Sequence, residues 1–190
     1  STAIYVAFPL APIRKVPSAA LVELLKGSKI VIWITTPWTI PGNMAICLNK
    51  NIDYVIVKAI NAETKEEKGN FIIAKDLVEN FAKDTKLTIT QSSESFKGSL
   101  LEGLVAVHPL FNRPSPIIFG EHVTTDAGTG CVHTAPGHGQ EDFAVGKEYG
   151  LEIVCPVDGK GVYTRDAGVY NLRDRGILEL AARLALHIGV

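Results

Sequence analysis

With 190 residues, 46% of them hydrophobic, and a formal net charge of −1, the chain suits one domain with a sizeable core. That balance excludes a dedicated nucleic-acid clamp, which would be strongly basic, and leaves room only for a local contact with an RNA end. Cys47, Cys131 and Cys155 are odd in number and lack metal-type spacing, which argues against a disulfide framework and for a reducing compartment.

No apolar run approaches the ~20 residues of a membrane span, and residues 1–10 carry no basic flank or cleavage pattern. The expected location is the cytoplasm, with an organelle left open. In chain order, residues 3–10 are β-prone and stop at Ala11-Pro12. Ser18 caps a short helix to Leu25, with Gly27 as its stop. Residues 29–34 are a continuous apolar run, the pattern of a strand covered on both faces. Residues 44–48 and 54–60 follow as strands, separated by a turn at Asn49-Lys50-Asn51.

Residues 63–68 read as a charged loop before a short strand at 71–74. Leu77, Val78 and Phe81 have helical spacing, so 75–83 is a surface helix, and 86–90 is strand-like. Residues 100–108 fit either a strand or a helix, and Pro109, Pro114 and Pro116 mark an irregular crossing before a strand at 117–119. A closing strand and turn are expected over 153–163, and a helix over 178–187. The whole reads as one domain with its core at about 25–165, and 166–190 as a linker or peripheral helix. Many short strands, few helices and no regular βα alternation favour α+β or a β-barrel over a Rossmann sheet.

Two stretches carry chemistry. Gly128-Thr129-Gly130-Cys131-Val132-His133-Thr134-Ala135-Pro136-Gly137-His138-Gly139 leads from a short apolar run through a Pro/Gly turn to Gln140-Glu141-Asp142. There a helix begins, running to Tyr149 with Gly150 as its stop. Carboxylates in a first helical turn face the positive end of the helix dipole and tend to stay ionised. An ionised Asp142 near His133 suits a small zwitterionic or phosphate-bearing ligand, although first-turn aspartates more often only stabilise their helix. The second stretch is Trp33-Ile34-Thr35-Thr36-Pro37-Trp38-Thr39-Ile40-Pro41-Gly42-Asn43. Its prolines forbid regular helix, so the hydroxyls of Thr35, Thr36 and Thr39 and the Asn43 amide cluster at the mouth of a buried strand. Read blandly, those threonines are ordinary β-branched residues.

Together, and in this order, the two stretches resemble the editing domain of isoleucyl-tRNA synthetase over roughly residues 25–155. The leucyl and valyl relatives look similar but typically carry Arg where this chain has Trp38. The resemblance implies a β-barrel core with peripheral helices, the fold of an insertion in a class I synthetase. It implies hydrolysis of valine wrongly esterified to isoleucine tRNA, and of valyl-adenylate. Asp142 would hold the α-ammonium group through a charge-assisted hydrogen bond, and His133 would form a wall that admits valine and excludes isoleucine. One methylene is worth only ~1–3 kcal/mol in an apolar pocket, a limit established on synthetases of this very kind, so a second sieve by size multiplies selectivity.

Thr35 and Thr36 would place the hydrolytic water, with Trp38, Thr39 and Asn43 contacting the aminoacyl-adenosine. The catalytic set is thus Asp142, Thr35 and Thr36, and the substrate-binding set Thr35, Thr36, Trp38, Thr39, Asn43, His133 and Asp142. No good general base is evident, so catalysis rests on positioning a water and stabilising the oxyanion. The expected partners are the 3′ end of mischarged tRNA and the rest of the synthetase chain. No cofactor is expected here, ATP and magnesium belonging to the catalytic domain of the full enzyme. One departure is Ile34, where the family usually has a third threonine.

Rival readings remain. One is an acceptor-end binding module with a degenerate site, on the strength of Ile34; another is a valyl- or leucyl-type editing domain. A metal-dependent hydrolase would use Cys131, His133, His138 and Asp142, but paired cysteines and a His-x-Glu are missing. His187-Ile188-Gly189-Val190 imitates the start of an ATP-binding signature and lacks its last histidine, so chance is the better reading.

Overall fold

The computed structural model describes residues 3–13 and 18–164. Strand β1 (Ile4–Pro9) and helix α1 (Ala19–Leu25) open the chain, and Ser18 caps α1 by accepting a hydrogen bond from the Leu21 amide. Gly27, at φ +72°, turns the chain into β2 (Ser28–Ile34). Strands β3 (Ala45–Leu48), β4 (Asp53–Asn61) and β5 (Glu67–Ala74) follow, then α2 (Val78–Thr85) and β6 (Leu87–Gln91). The remaining elements are β7 (Phe96–Lys97), β8 (Val105–Val107), β9 (Pro114–Phe119), β10 (Val132–Thr134) and α3 (Gln140–Glu148).

The strands form two mixed sheets, one ordered β1-β2-β5-β4-β6 with β7 on β4, the other β10-β3-β9-β8. β2 runs parallel to β5 and antiparallel to β1, so both its edges are paired, and its continuous apolar sequence has cover on both faces. Period-2 alternation divides its side chains. Ile30, Ile32 and Ile34 join Val6 and Phe8 in a core shared with Ile46, Leu48 and Ile117 of the second sheet. Val31, with Tyr5, Ala7 and Phe71, faces Phe81 of α2. On the far side of the second sheet, Ala45, Cys47 and Ile118 pack against Val145 of α3. The layers therefore run α2, sheet, sheet, α3.

Closure into a barrel does not occur among the described residues. The two sheets meet at one bridge, Leu10 to Ala106, and no continuous ladder joins their outer strands, as closure requires. The fold is α+β with two open sheets, which corrects the expected barrel. Two smaller differences have local causes. β5 starts at Glu67 because the charged segment pairs with the end of β4 across a bulge at Ala59/Ile60. The Pro114–Pro116 segment is part of β9, because alternate prolines face away from the ladder. Ser115 pairs with Ala106, the Ile117 amide donates across to the Leu104 carbonyl before β8, the His108 amide after β8 donates back to the Arg113 carbonyl, and β3 pairs only from Ile117 onward. Residues 151–164 make a turn closed by one bridge, Val157 to Tyr163, in place of a closing strand. The helix expected over 178–187 lies outside the described residues.

Candidate functional site

The end of β2 and the start of α3 meet across β10. β10 pairs with β3 at His133–Ile46, which sets the His133 ring beside the turn that follows β2. The loop before β10 is pinned on both sides. The Ala74 amide donates to the Thr129 carbonyl at 2.8 Å, and the Tyr54 hydroxyl donates to the Gly130 carbonyl at 2.6 Å. Gly130 has φ +72°, and a Cβ there would sit 2.5 Å from Ala74 Cβ, so this close approach needs glycine. Pro37 then starts a 3₁₀ turn over Pro37–Gly42, which carries Trp38 and Thr39.

These elements enclose a cavity of about 390 Å³. Thr35, Thr36, Trp38, Thr39, His133 and Asp142, all singled out in the sequence, line it. Trp33 also lines it, as do Ile34, Val132, Ala135, His138 and Gly139. Asn43 does not. It is 1% exposed and stands behind His133, its amide occupied by protein groups. The substrate contact expected of Asn43 therefore gives way to a contact with the histidine, because the end of the 3₁₀ turn carries its side chain under β10 and not toward the cavity.

Hydrogen bonds fix the polarity of that contact. The Ala45 carbonyl can only accept, so Asn43 Nδ2 faces it at 2.9 Å, and the same nitrogen donates to His133 Nδ1 at 2.8 Å. With Nδ1 accepting, the single proton of the neutral ring is on Nε2, which donates to Thr39 Oγ1 at 3.1 Å. Thr39 Oγ1 in turn donates to the Thr36 carbonyl at 2.9 Å. Burial, the nearby charges of His108 and His138, and little else hold the ring down to about 3 from an ordinary 6.5, with the Thr39 hydrogen bond opposing weakly. His133 is a neutral wall with both nitrogens engaged.

Asp142 is different. Its Oδ2 accepts the Ala135 amide at 2.9 Å, and Oδ1 has no hydrogen-bond partner among the described residues. Gly139 lets the carboxyl fold back, since a Cβ there would lie 3.3 Å from Asp142 Cγ. Burial raises the Asp142 carboxyl above the ordinary carboxylate range, against the pull of the Ala135 amide and of His122 and His138. The ionisation expected from the helix dipole alone is thus opposed by desolvation. The hydroxyls of Thr35 and Thr36 have no protein partner among the described residues and sit on the cavity wall.

Sequence reasoning missed Ser115, Arg113 and Tyr163. Ser115 Oγ donates to Asn43 Oδ1 at 2.7 Å, and Arg113 Nη2 donates to the Asn43 carbonyl at 2.8 Å and to that of Pro41. The Tyr163 hydroxyl donates to the Trp38 carbonyl at 2.8 Å. The only signal for Ser115 was a small polar residue between two prolines. No group of three or more His, Cys, Asp or Glu side chains among the described residues is arranged to hold a metal ion. No described helix is long and apolar enough to cross a membrane.

The sequence matches the family described as leucyl-tRNA synthetase, editing domain, over residues 21–178, wider than the stretch carried by the two motifs. It is 49% identical to an isoleucine–tRNA ligase of Bacillus mycoides over 168 residues, 88% of this chain and 17% of that protein. It is 53% identical to the isoleucine–tRNA ligase of Caldanaerobacter subterraneus over 79% of this chain and 15% of that protein. The chain thus spans less than a fifth of the length of these relatives. In fold it is similar to the crystal structure of the P. falciparum cytosolic leucyl-tRNA synthetase editing domain, with a TM-score of 0.59 at 10% identity, covering 98% of this chain and 86% of that one. It is similar also to the P. knowlesi cytosolic leucyl-tRNA synthetase editing domain, with a TM-score of 0.53 at 13% identity over 74% of this chain and 59% of that one. The chain belongs to the leucyl-tRNA synthetase editing-domain family and, within it, is similar to the isoleucine–tRNA ligases.

Proposed function

We propose that this chain hydrolyses the ester bond of valine mischarged onto isoleucine tRNA, with valyl-adenylate, a mixed anhydride from which water releases AMP, as a second substrate. The observation that carries the reading is one cavity that joins a half-buried carboxylate, two unpartnered threonine hydroxyls and a rigid neutral histidine. Asp142 Oδ1 is free to take the α-ammonium of the aminoacyl group, the one fixed positive charge on such an ester. Thr35 and Thr36 hold the attacking water at the carbonyl carbon. That water adds, the bond from carbonyl carbon to ribose oxygen breaks, and the ribose oxygen leaves as a hydroxyl.

His133 cannot act as the base, because Nδ1 is taken by Asn43 and Nε2 carries the proton given to Thr39. Its ring instead limits the side chain that fits. A substrate ribose hydroxyl assists proton transfer in this reading, and no metal or cofactor takes part. The partners are the acceptor end of the tRNA and the remainder of a synthetase chain, where ATP and magnesium act.

Deacylation of valyl-tRNA and isoleucyl-tRNA, both on isoleucine tRNA, tests this with the chain and with Asp142→Ala. Loss of valine alone, abolished by the substitution, is the expected result. Equal cleavage of both esters would remove the sieve. Binding of an aminoacyl-adenosine analogue without turnover would replace the enzyme by an acceptor-end binding module, with Ile34 in the cavity wall as the cause.

A further inference from the structure

Every member of the chain of hydrogen bonds behind the cavity wall has a determined direction. Ser115 is fully buried, and its Oγ is 2.7 Å from Asn43 Oδ1. The Ala45 carbonyl, which can only accept, assigns the nitrogen end of the Asn43 amide, and the Ser115 hydroxyl donates to the oxygen end that this leaves facing it. That assignment forces Nδ2 toward His133 Nδ1 and leaves the ring proton on Nε2. Were the amide reversed, its oxygen would face Nδ1, draw the ring proton there, and leave Nε2 as an acceptor toward the cavity side. The Thr39 hydroxyl would then turn to donate to His133 and release the Thr36 carbonyl.

We propose that Ser115 is a positioning residue of this site, acting through Asn43 to lock His133 in its Nε2–H tautomer and to hold the wall formed by His133 and Thr39 in one geometry. The placement of Ser115 in β9 fits this role. It lies between Pro114 and Pro116, opposite Ala106, on a strand that cannot slide without losing its ladder to β8 and β3. Arg113, two residues earlier, holds the backbone of the same turn through the carbonyls of Pro41 and Asn43. The start of β9 and the residue just before it thus fix both the amide and the main chain of Asn43. The inference rests on the editing reading for its effect on substrate choice, and on geometry alone for its effect on the histidine.

Two measurements separate those parts. Nitrogen-15 NMR of the histidine-labelled 190-residue chain should find His133 as the Nε2–H tautomer with an accepting Nδ1. In Ser115→Ala, which leaves Asn43 Oδ1 without its donor, a second population with the proton on Nδ1 should appear. The ring should then titrate at higher pH, with His108 and His138 the titratable neighbours to be assigned alongside it. A merely structural serine would lower stability without moving the tautomer. In the deacylation assay the same variant should lose about three- to tenfold in its preference for the valyl over the isoleucyl ester, the scale of one buried hydrogen bond. An Nδ1–H tautomer in the unsubstituted chain overturns the proposal even if Ser115→Ala does not fold, and so does an unchanged tautomer in a folded Ser115→Ala. If the tautomer moves and neither ester is cleaved by any form, the lock stands and the editing reading falls.

Discussion

Acid should unfold this chain through two histidines that solvent barely reaches. His108 is 1% and His133 7% exposed. Burial, chiefly, holds His108 at about 4 and His133 at about 3, against an ordinary 6.5. Both folded values lie below the unfolded one. The stability these rings contribute is therefore complete above about 6.5 and is withdrawn as the pH falls from there, through about 4 for His108 and about 3 for His133. At about pH 5 the unfolded chain has taken up both protons and the folded chain neither, so at ~1.4 kcal/mol per unit each ring withdraws about 2 kcal/mol. The pair withdraws about 4 kcal/mol from a net stability of about 5–15 kcal/mol.

His138, also lowered by burial, adds in the same direction, while Asp142, raised by burial, opposes by binding its proton more readily when folded. Urea unfolding followed by the fluorescence of Trp33 and Trp38 reads the difference. With a slope of about 2 kcal/mol per molar, the midpoint should fall by about 2 M between about pH 8 and about pH 5. His108→Phe keeps a ring against Phe111, stacked at 4.8 Å in the native pair, and should shed about half of that pH dependence whatever its own stability. Equal midpoints at the two pH values, or an undiminished slope in the variant, would refute the reasoning and mean that the folded rings carry protons.

Three further outcomes are expected. In the proposed reading the ionised form of Asp142 holds the aminoacyl ammonium, and burial raises that carboxyl, so KM for the valyl ester should climb as pH falls through the raised value while kcat holds; a KM that stays flat as the pH is lowered until the chain unfolds would remove the ammonium anchor. Tyr163→Phe deletes the hydrogen bond to the Trp38 carbonyl, worth about 0.5–1.5 kcal/mol, and should raise KM by up to about tenfold with little change in Tm; an unaltered KM would mean the turn is held without it. Gly103→Ala has φ +79° but open space around the new methyl, so it should destabilise by about 1–2 kcal/mol. Gly130→Ala combines φ +72° with the Ala74 overlap and should cost clearly more in thermal melts; equal losses would show that the loop before β10 can shift away from β5.

Elements built from local signals were legible. The apolar run of β2, the Ser18 cap, the Gly27 and Gly150 stops and the spacing of Leu77, Val78 and Phe81 each depend on residues within one or two turns of each other, and each element formed. Which strands pair, and whether a sheet closes, depends on contacts between residues far apart in sequence, for which period-2 alternation carries no address. That is why the six-stranded sheet and the four-stranded sheet were not separable and a barrel was expected. Pro114 and Pro116 misled for a related reason. Proline forbids a donor at its own position only, and whether that position needs one depends on where the neighbouring strand ends.

The candidate site divides along the same line. Residues that face the cavity cluster in two short stretches, where the residue types themselves announced polar chemistry at a strand mouth and a helix start. The residues that give those side chains a direction come from elsewhere: Ser115 from β9, Arg113 from the residue just before it, and Tyr163 from the closing turn. Asn43 shows how the two classes are confused in a sequence. Its position in the threonine-rich stretch suggested a ligand contact, yet a buried amide must satisfy one acceptor and two donors, and protein groups supply all of these partners within 3 Å. A polar side chain whose capacity is spent in this way has little left for a substrate. What it retains is control over the group it touches, and here that group is the histidine that shapes the cavity.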